Sequence, residues 1–329
     1  MNIHKIAAIA ALLMTFAGHA GAQTCSLAQA ASLDMTLMPS GRFTVPVKVN
    51  GKALQFMVDT AGVFSSLNAK AAQDLKLDPK ATGNFMYGVS GKIPIQTVKA
   101  DSFMVGVNEA KDFHFVLETK SFDQGASVDG ILASDFLTLF DVEIDSAHKK
   151  FNLFSQDHCA GKVVYWTHDA YATIPFHLSG DELHYTRDNH IDLTAQLDGH
   201  DVSTELDTGS WMTWLRMKSA KLIMGLDESS PGMEKLSDEG AGKLATYKKH
   251  FDGISLGGLM DKDPTILIID DNAEEAFRMQ HSEKSRDDPI YGAKFQLEDL
   301  TLGMSVISKM RLYIAFKEHK IYATGADAH

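Results

Sequence analysis

Two aspartates in this 329-residue chain sit in matching surroundings, Val58-Asp59-Thr60-Ala61 and Leu206-Asp207-Thr208-Gly209. The two copies lie 148 residues apart. If they pack about a local twofold axis, Asp59 and Asp207 become neighbours. Two carboxyl groups that close cannot both ionise cheaply, so they share a proton over a wide pH range. One then acts as base on a water while the other, protonated, hydrogen-bonds a carbonyl oxygen. That is general acid–base hydrolysis without metal or covalent intermediate. Thr60 and Thr208 each offer a hydroxyl to the backbone of the opposite loop. The Ser210 hydroxyl is expected to bond the outer oxygen of Asp207.

The elements around these residues repeat as well. Phe43 to Asn50-Gly51 reads against Ile191 to Asp198-Gly199 at the same separation. Alternating apolar residues on both sides of Asn-Gly or Asp-Gly predict a β-hairpin, with the aspartate at the end of its second strand. Ser40-Gly41 and Ser179-Gly180 mark a turn ahead of each hairpin. A second pair of segments also aligns, Ile131-Leu132-Ala133 through Asp145 with Thr301-Leu302-Gly303 through Ala315. Each reads as a short apolar strand, a small residue, a short helix and another strand. Met86-Tyr87-Gly88-Val89-Ser90-Gly91 reads as a hairpin tip. The chain is therefore expected to be mainly β, with two homologous lobes over 23–160 and 161–329, each carrying a short helix. The boundary falls in the polar stretch Gln156 to Lys162.

Residues 1–22 have the layout of a secretory signal peptide, with an apolar run Ala7–Phe16 and a small-x-small site Ala20-Gly21-Ala22. The run is too short for a permanent span. Cleavage after Ala22 would give a periplasmic or secreted chain starting at Gln23. Export permits a disulfide, and the sequence has two cysteines, so a Cys25–Cys159 bridge is expected; the other possibility is two buried thiols. Lys and Arg number 31 against 43 Asp and Glu, a net charge of −12, which disfavours nucleic acid and anionic lipid. The 14 histidines form no His-Glu-x-x-His and no zinc spacing, so no metal and no cofactor is expected. His184, His190 and His200 read as surface residues. Trp211 and Trp214 read as core packing, or as one wall of an apolar subsite. Gly240-Ala-Gly242 reads as a loop, and Asp270-Asp271-Asn272 as a capped helix start.

The two Asp-Thr-small loops, each with its downstream apolar-apolar-small segment, resemble the aspartic proteases. The segment Asp129-Gly130-Ile131-Leu132-Ala133-Ser134-Asp135-Phe136-Leu137 is similar to that of the bacterial retropepsin-like group. The resemblance implies two acid-protease β-barrel lobes around one central cleft in a monomer. It also implies catalytic Asp59 and Asp207, supported by Thr60, Ala61, Thr208, Gly209 and Ser210, and a flap tipped by Tyr87 and Gly88. The implied activity is that of an exported aspartic endopeptidase acting on peptide or protein substrates. The alternative is a weak or inactive relative that binds peptides or a partner protein in the same cleft. The sequence departs from the family pattern at Ala61 and Ala133, where the second lobe has Gly209 and Gly303. A left-handed backbone at Ala61 would cost on the order of 1 kcal/mol, which leads to the expectation of a weak enzyme improved by Ala61→Gly.

Overall fold

The computed structural model describes residues 26–88, 91–118, 128–179, 189–236, 245–270 and 298–328, with only the backbone at 84–88 and 91–93. The signal-peptide segment, Cys25, His184, Gly240-Ala-Gly242 and the stretch following Asp270 lie outside these residues. So do Val89 and Ser90 of the hairpin tip.

Both expected hairpins form. Strands Phe43–Val49 and Lys52–Val58 pair from Thr44↔Met57 to Val49↔Lys52. Strands Ile191–Leu197 and His200–Leu206 pair with the matching register, closing at Leu197↔His200. The two-residue turns have positive φ at both positions, 48° and 79° at Asn50-Gly51, 48° and 80° at Asp198-Gly199. A turn of that hand matches the twist of the arms, and Asn, Asp and Gly tolerate it at least cost.

Each hairpin belongs to a barrel with one strand order. In the first lobe it runs Phe43–Val49, Lys52–Val58, Gly130–Leu132, Ser66–Asn68, Asn108–Glu118, Gly91–Val105, Lys80–Gly88. In the second it runs Ile191–Leu197, His200–Leu206, Leu300–Leu302, Trp214–Arg216, Thr265–Ile269, Thr246–His250, Glu234–Lys235. The first barrel closes where Val47 pairs with Val105; in the second lobe Leu197 pairs with Ile254 of Gly253–Leu256, the strand that follows Thr246–His250. Alternation fills the interior with Phe43, Val45, Phe56, Val58, Phe103 and Phe115 in one lobe, and Leu193, Ala195, Val202, Leu206 and Ile268 in the other. The short helices Ser134–Leu137 and Met304–Ile307 follow the apolar-apolar-small segments, as the sequence leads one to expect.

The lobes are joined by more than a linker. A common sheet runs Gln29–Asp34, Lys150–Phe154, Asp141–Asp145, Met310–Ala315, Lys320–Gly325, Ala172–Leu178, and so takes strands from both halves. The seam is the antiparallel pair Val142↔Ile314 through Asp145↔Arg311. Buried charge crosses it. Glu143, fully buried, accepts hydrogen bonds from Arg311 Nε at 2.9 Å, Tyr165 Oη at 2.7 Å and Asn152 Nδ2 at 2.6 Å. Arg311 Nη1 also lies 3.1 Å from Asp145 Oδ2, and the guanidinium stacks 4.8 Å from the centre of the Trp166 ring. Cys159, beside this sheet, is disulfide-bonded.

Candidate active site

The two aspartates stand at the ends of Lys52–Val58 and His200–Leu206. Each is held by a strand that runs parallel to its own: Asp59 N–H donates to Leu132 O and Asp207 N–H to Leu302 O, both at 3.0 Å. The following threonines lock the loops together across the lobe junction. Thr60 Oγ1 donates to Leu206 O at 2.7 Å and accepts from Thr208 N–H at 3.1 Å. Thr208 Oγ1 donates to Val58 O at 2.8 Å and accepts from Thr60 N–H at 3.1 Å. Both threonines are buried, so water does not compete for these four bonds. The reciprocity is that of a local twofold axis between the loops, and it brings Asp59 and Asp207 together.

Burial is the first cause that pushes both carboxyl groups above the ordinary aspartate range. At Asp207 the neighbouring charges of Asp59 and then Glu205 push further, against the N–H groups of Gly209 and Ser210. At Asp59 the N–H groups of Ala61 and Gly62 and a hydrogen bond from the Asp207 side chain oppose the effect of burial. A single proton held on the Asp207 side and donated toward Asp59 satisfies both sets of interactions.

The loops are not equivalent in detail. Gly209 N–H reaches Asp207 Oδ1 at 2.7 Å, and Ser210 N–H reaches the same oxygen at 3.0 Å; Ala61 N–H reaches Asp59 Oδ1 at 3.1 Å. The Ser210 hydroxyl does not bond Asp207 as expected. It donates to Met212 O at 2.8 Å, because that carbonyl lies within reach and the backbone N–H already serves the carboxylate. Gly209 has no left-handed backbone; a side chain there is excluded by contact, since a Cβ would lie 2.6 Å from Asp59 Cγ.

The two departures from the repeat lose their force here. Ala61 is not among the residues with positive φ, so the expected backbone strain does not arise. Ala133 is fully buried, and a Cβ on Gly62 would meet its Cβ at 3.1 Å. The small residues are thus transposed. The first lobe has Gly62 against Ala133 where the second has Ser210 against Gly303, and a Cβ on Gly303 would run into the Met212 carbonyl.

Tyr87 and Gly88 lie on a hairpin, in the pairs Tyr87↔Lys92 and Gly88↔Gly91. The Tyr87 side chain lies outside the described atoms. His190 is no surface residue: its side chain is 14% exposed, and Nδ1 lies 2.7 Å from Glu205 Oε1. His200 is exposed. Trp211 is 53% exposed on the loop after Ser210 rather than packed in a core, while Trp214 is half-buried.

Sequence reasoning missed three supports. Ser65 Oγ accepts from Ala133 N–H at 3.0 Å and Thr213 Oγ1 from Gly303 N–H at 3.1 Å, a hydroxyl at the same place in each copy. Arg42 Nη1 crosses the junction to donate to Gly209 O at 3.3 Å. The third is Glu205. The 148-residue repeat would have found the hydroxyl pair; nothing local in the sequence points to the other two. Among the described residues no cluster of His, Cys, Asp and Glu could hold a metal ion.

Residues 45–136, which contain Asp59, most of its hairpin, the strands Lys80–Gly88 and Gly91–Val105 and the start of the helix at Ser134, match the aspartyl protease family model. No curated protein matches the chain. Among solved structures, it is similar to a retropepsin-like aspartic protease from Rickettsia conorii, at 21% identity over 40% of this chain and 96% of that one, TM-score 0.31. It is also similar to Basic 7S globulin from soybean, at 10% identity over 92% of this chain and 96% of that one, TM-score 0.45. Within residues 45–136, the chain is thus similar to the aspartyl proteases.

Proposed function

We propose that the chain is an exported aspartic endopeptidase that works as a monomer and hydrolyses peptide bonds with a water activated between Asp59 and Asp207. The observation that carries this reading is the pair of half-buried aspartates clamped by the reciprocal Thr60–Thr208 hydrogen bonds. Asp59, the more readily ionised, takes a proton from the attacking water. Asp207, protonated, hydrogen-bonds the scissile carbonyl and stabilises the charge that develops on its oxygen. The substrate is a peptide or unfolded protein laid across the junction, covered by the hairpin that ends at Gly88 and Gly91.

The test is cleavage of a denatured protein at acidic and neutral pH by wild type, Asp59→Asn and Asp207→Asn. Activity lost in both variants with unchanged melting is the expected result. Full activity in Asp207→Asn would refute the mechanism. Intact mass of the exported form should begin at Gln23; a chain that retains residues 1–22 after export would count against the signal.

A further inference from the structure

The two sides of the dyad differ in charge. Glu205 lies two residues before Asp207 on the strand His200–Leu206, so alternation puts both on one face, while Thr204 and Leu206 point into the core. The matching residue of the first lobe is Met57, buried in an apolar patch with Met38, Ile131 and Ala133 and with Val128 packed against it. The position matching His190 is Arg42, which donates from Nη1 across the junction to Gly209 O and from Nε to Ser40 Oγ.

Titratable groups approach Glu205 from several sides. The segment leading into Ile191–Leu197 brings His190, with Nδ1 2.7 Å from Glu205 Oε1. That strand itself places Asp192 directly opposite Glu205, buried, with His177 of Ala172–Leu178 3.8 Å beyond it. Glu298 precedes the strand that pairs Thr301 with Glu205, and Asp207 and Asp59 lie ahead.

We propose that Glu205, held by His190, sets the pH range over which Asp59 and Asp207 keep their shared proton. This rests on reading the two aspartates as the reacting pair. Glu205 acts as a positioning residue through its charge and does not touch substrate. A carboxylate on the Asp207 face disfavours a second negative charge on the dyad. The raised affinity of both aspartates for protons includes a contribution from Glu205. His190 makes the effect adjustable. Protonated, it cancels the Glu205 charge; neutral, it leaves that charge to oppose loss of the shared proton. The pair therefore extends the working range on its alkaline side.

The experiment is a carbon-13 carboxyl NMR titration of Asp59 and Asp207 in the whole chain, with the pH profile of peptide cleavage measured alongside. Glu205→Gln should lower the upper midpoint of the dyad, and with it the alkaline limb of kcat/KM, by roughly 1.7 pH units for a charge about 7 Å away at an effective dielectric near 20. His190→Gln, which keeps a donor but removes the positive form, should raise that midpoint. The double variant should match Glu205→Gln alone, a pattern that general loosening of the site does not produce. An unmoved upper midpoint in Glu205→Gln, or a lowered one in His190→Gln, overturns the proposal. If no cleavage depends on the dyad, the peptidase reading fails, and the titration still decides this one.

Discussion

Gly209→Ala tests how closely the two loops are fitted. An ideal Cβ at Gly209 lies 2.6 Å from Asp59 Cγ and 2.7 Å from each of its carboxylate oxygens. Non-bonded carbon atoms settle at about 3.5–4.0 Å, so roughly 1 Å must be found. The backbone at 209 has no positive φ, so the methyl brings contact and not conformational strain. The loops have little freedom to part, because the four threonine hydrogen bonds at 2.7–3.1 Å hold them together. Asp59 therefore gives way. A displacement of about 1 Å in reacting groups can cost on the order of 100-fold in rate. Overpacking a well-fitted site costs typically 1–3 kcal/mol, a few degrees of melting temperature in a chain this long. The expected result is kcat lower by about 100-fold, KM close to wild type and a modest drop in melting temperature, from steady-state kinetics on one peptide and a thermal melt. Ala61→Gly is the control: it should leave turnover equal or higher and lose about 0.4–1 kcal/mol through a freer unfolded chain. Full turnover in Gly209→Ala would refute the claim that contact with Asp59 is what demands glycine.

Asp192 is held protonated up to about 7 against an ordinary 3.8, first by burial and then by the charges of Glu298 and Glu205. Its proton therefore contributes stability that is complete below the ordinary value and lost as pH rises through about 7, and the raised Asp59 and Asp207 act in the same direction. Melting temperature should fall from acid to neutral pH, less steeply in Asp192→Asn; equal slopes in melts across that range would refute it. Arg311→Met leaves Glu143 and Asp145 buried without their guanidinium and should cost about 3–5 kcal/mol by urea unfolding. Adding Glu143→Gln should recover part of that, and a single variant as stable as wild type would show that the seam does not need the charge.

The parts that were legible in the sequence are those whose cause is local or doubled. Asn50-Gly51 and Asp198-Gly199 fix the sign of their turns by themselves, and repetition points out the aspartates, the threonines and the segments before each short helix. The common sheet was hidden because the register Asp145↔Arg311 joins strands far apart in sequence, and no local pattern encodes such a pairing. His190 looked superficial because histidine is polar; its place was decided by Glu205, which no motif marks. The Ser210 hydroxyl was misplaced for a related reason. A side chain with two acceptors in reach takes the one that the backbone leaves open, and that choice is three-dimensional.

The charge at the seam also tells each lobe which partner is its own. The strands Asp141–Asp145 and Met310–Ala315 come from aligned positions of the two halves, so one lobe meeting a copy of itself would use the same edge about the same axis. For the first lobe, Glu143 would then face Glu143, and Asp145 would face Asp141. All three are buried, and like charges placed opposite one another on neighbouring strands repel. Met310–Ala315 presents Tyr313 and Arg311 at those places instead. Two halves that remain alike enough to trace residue by residue have thus become unlike at the one edge where likeness would let a lobe pair with a stranger, and the unlikeness is written in acids on one side and a guanidinium on the other.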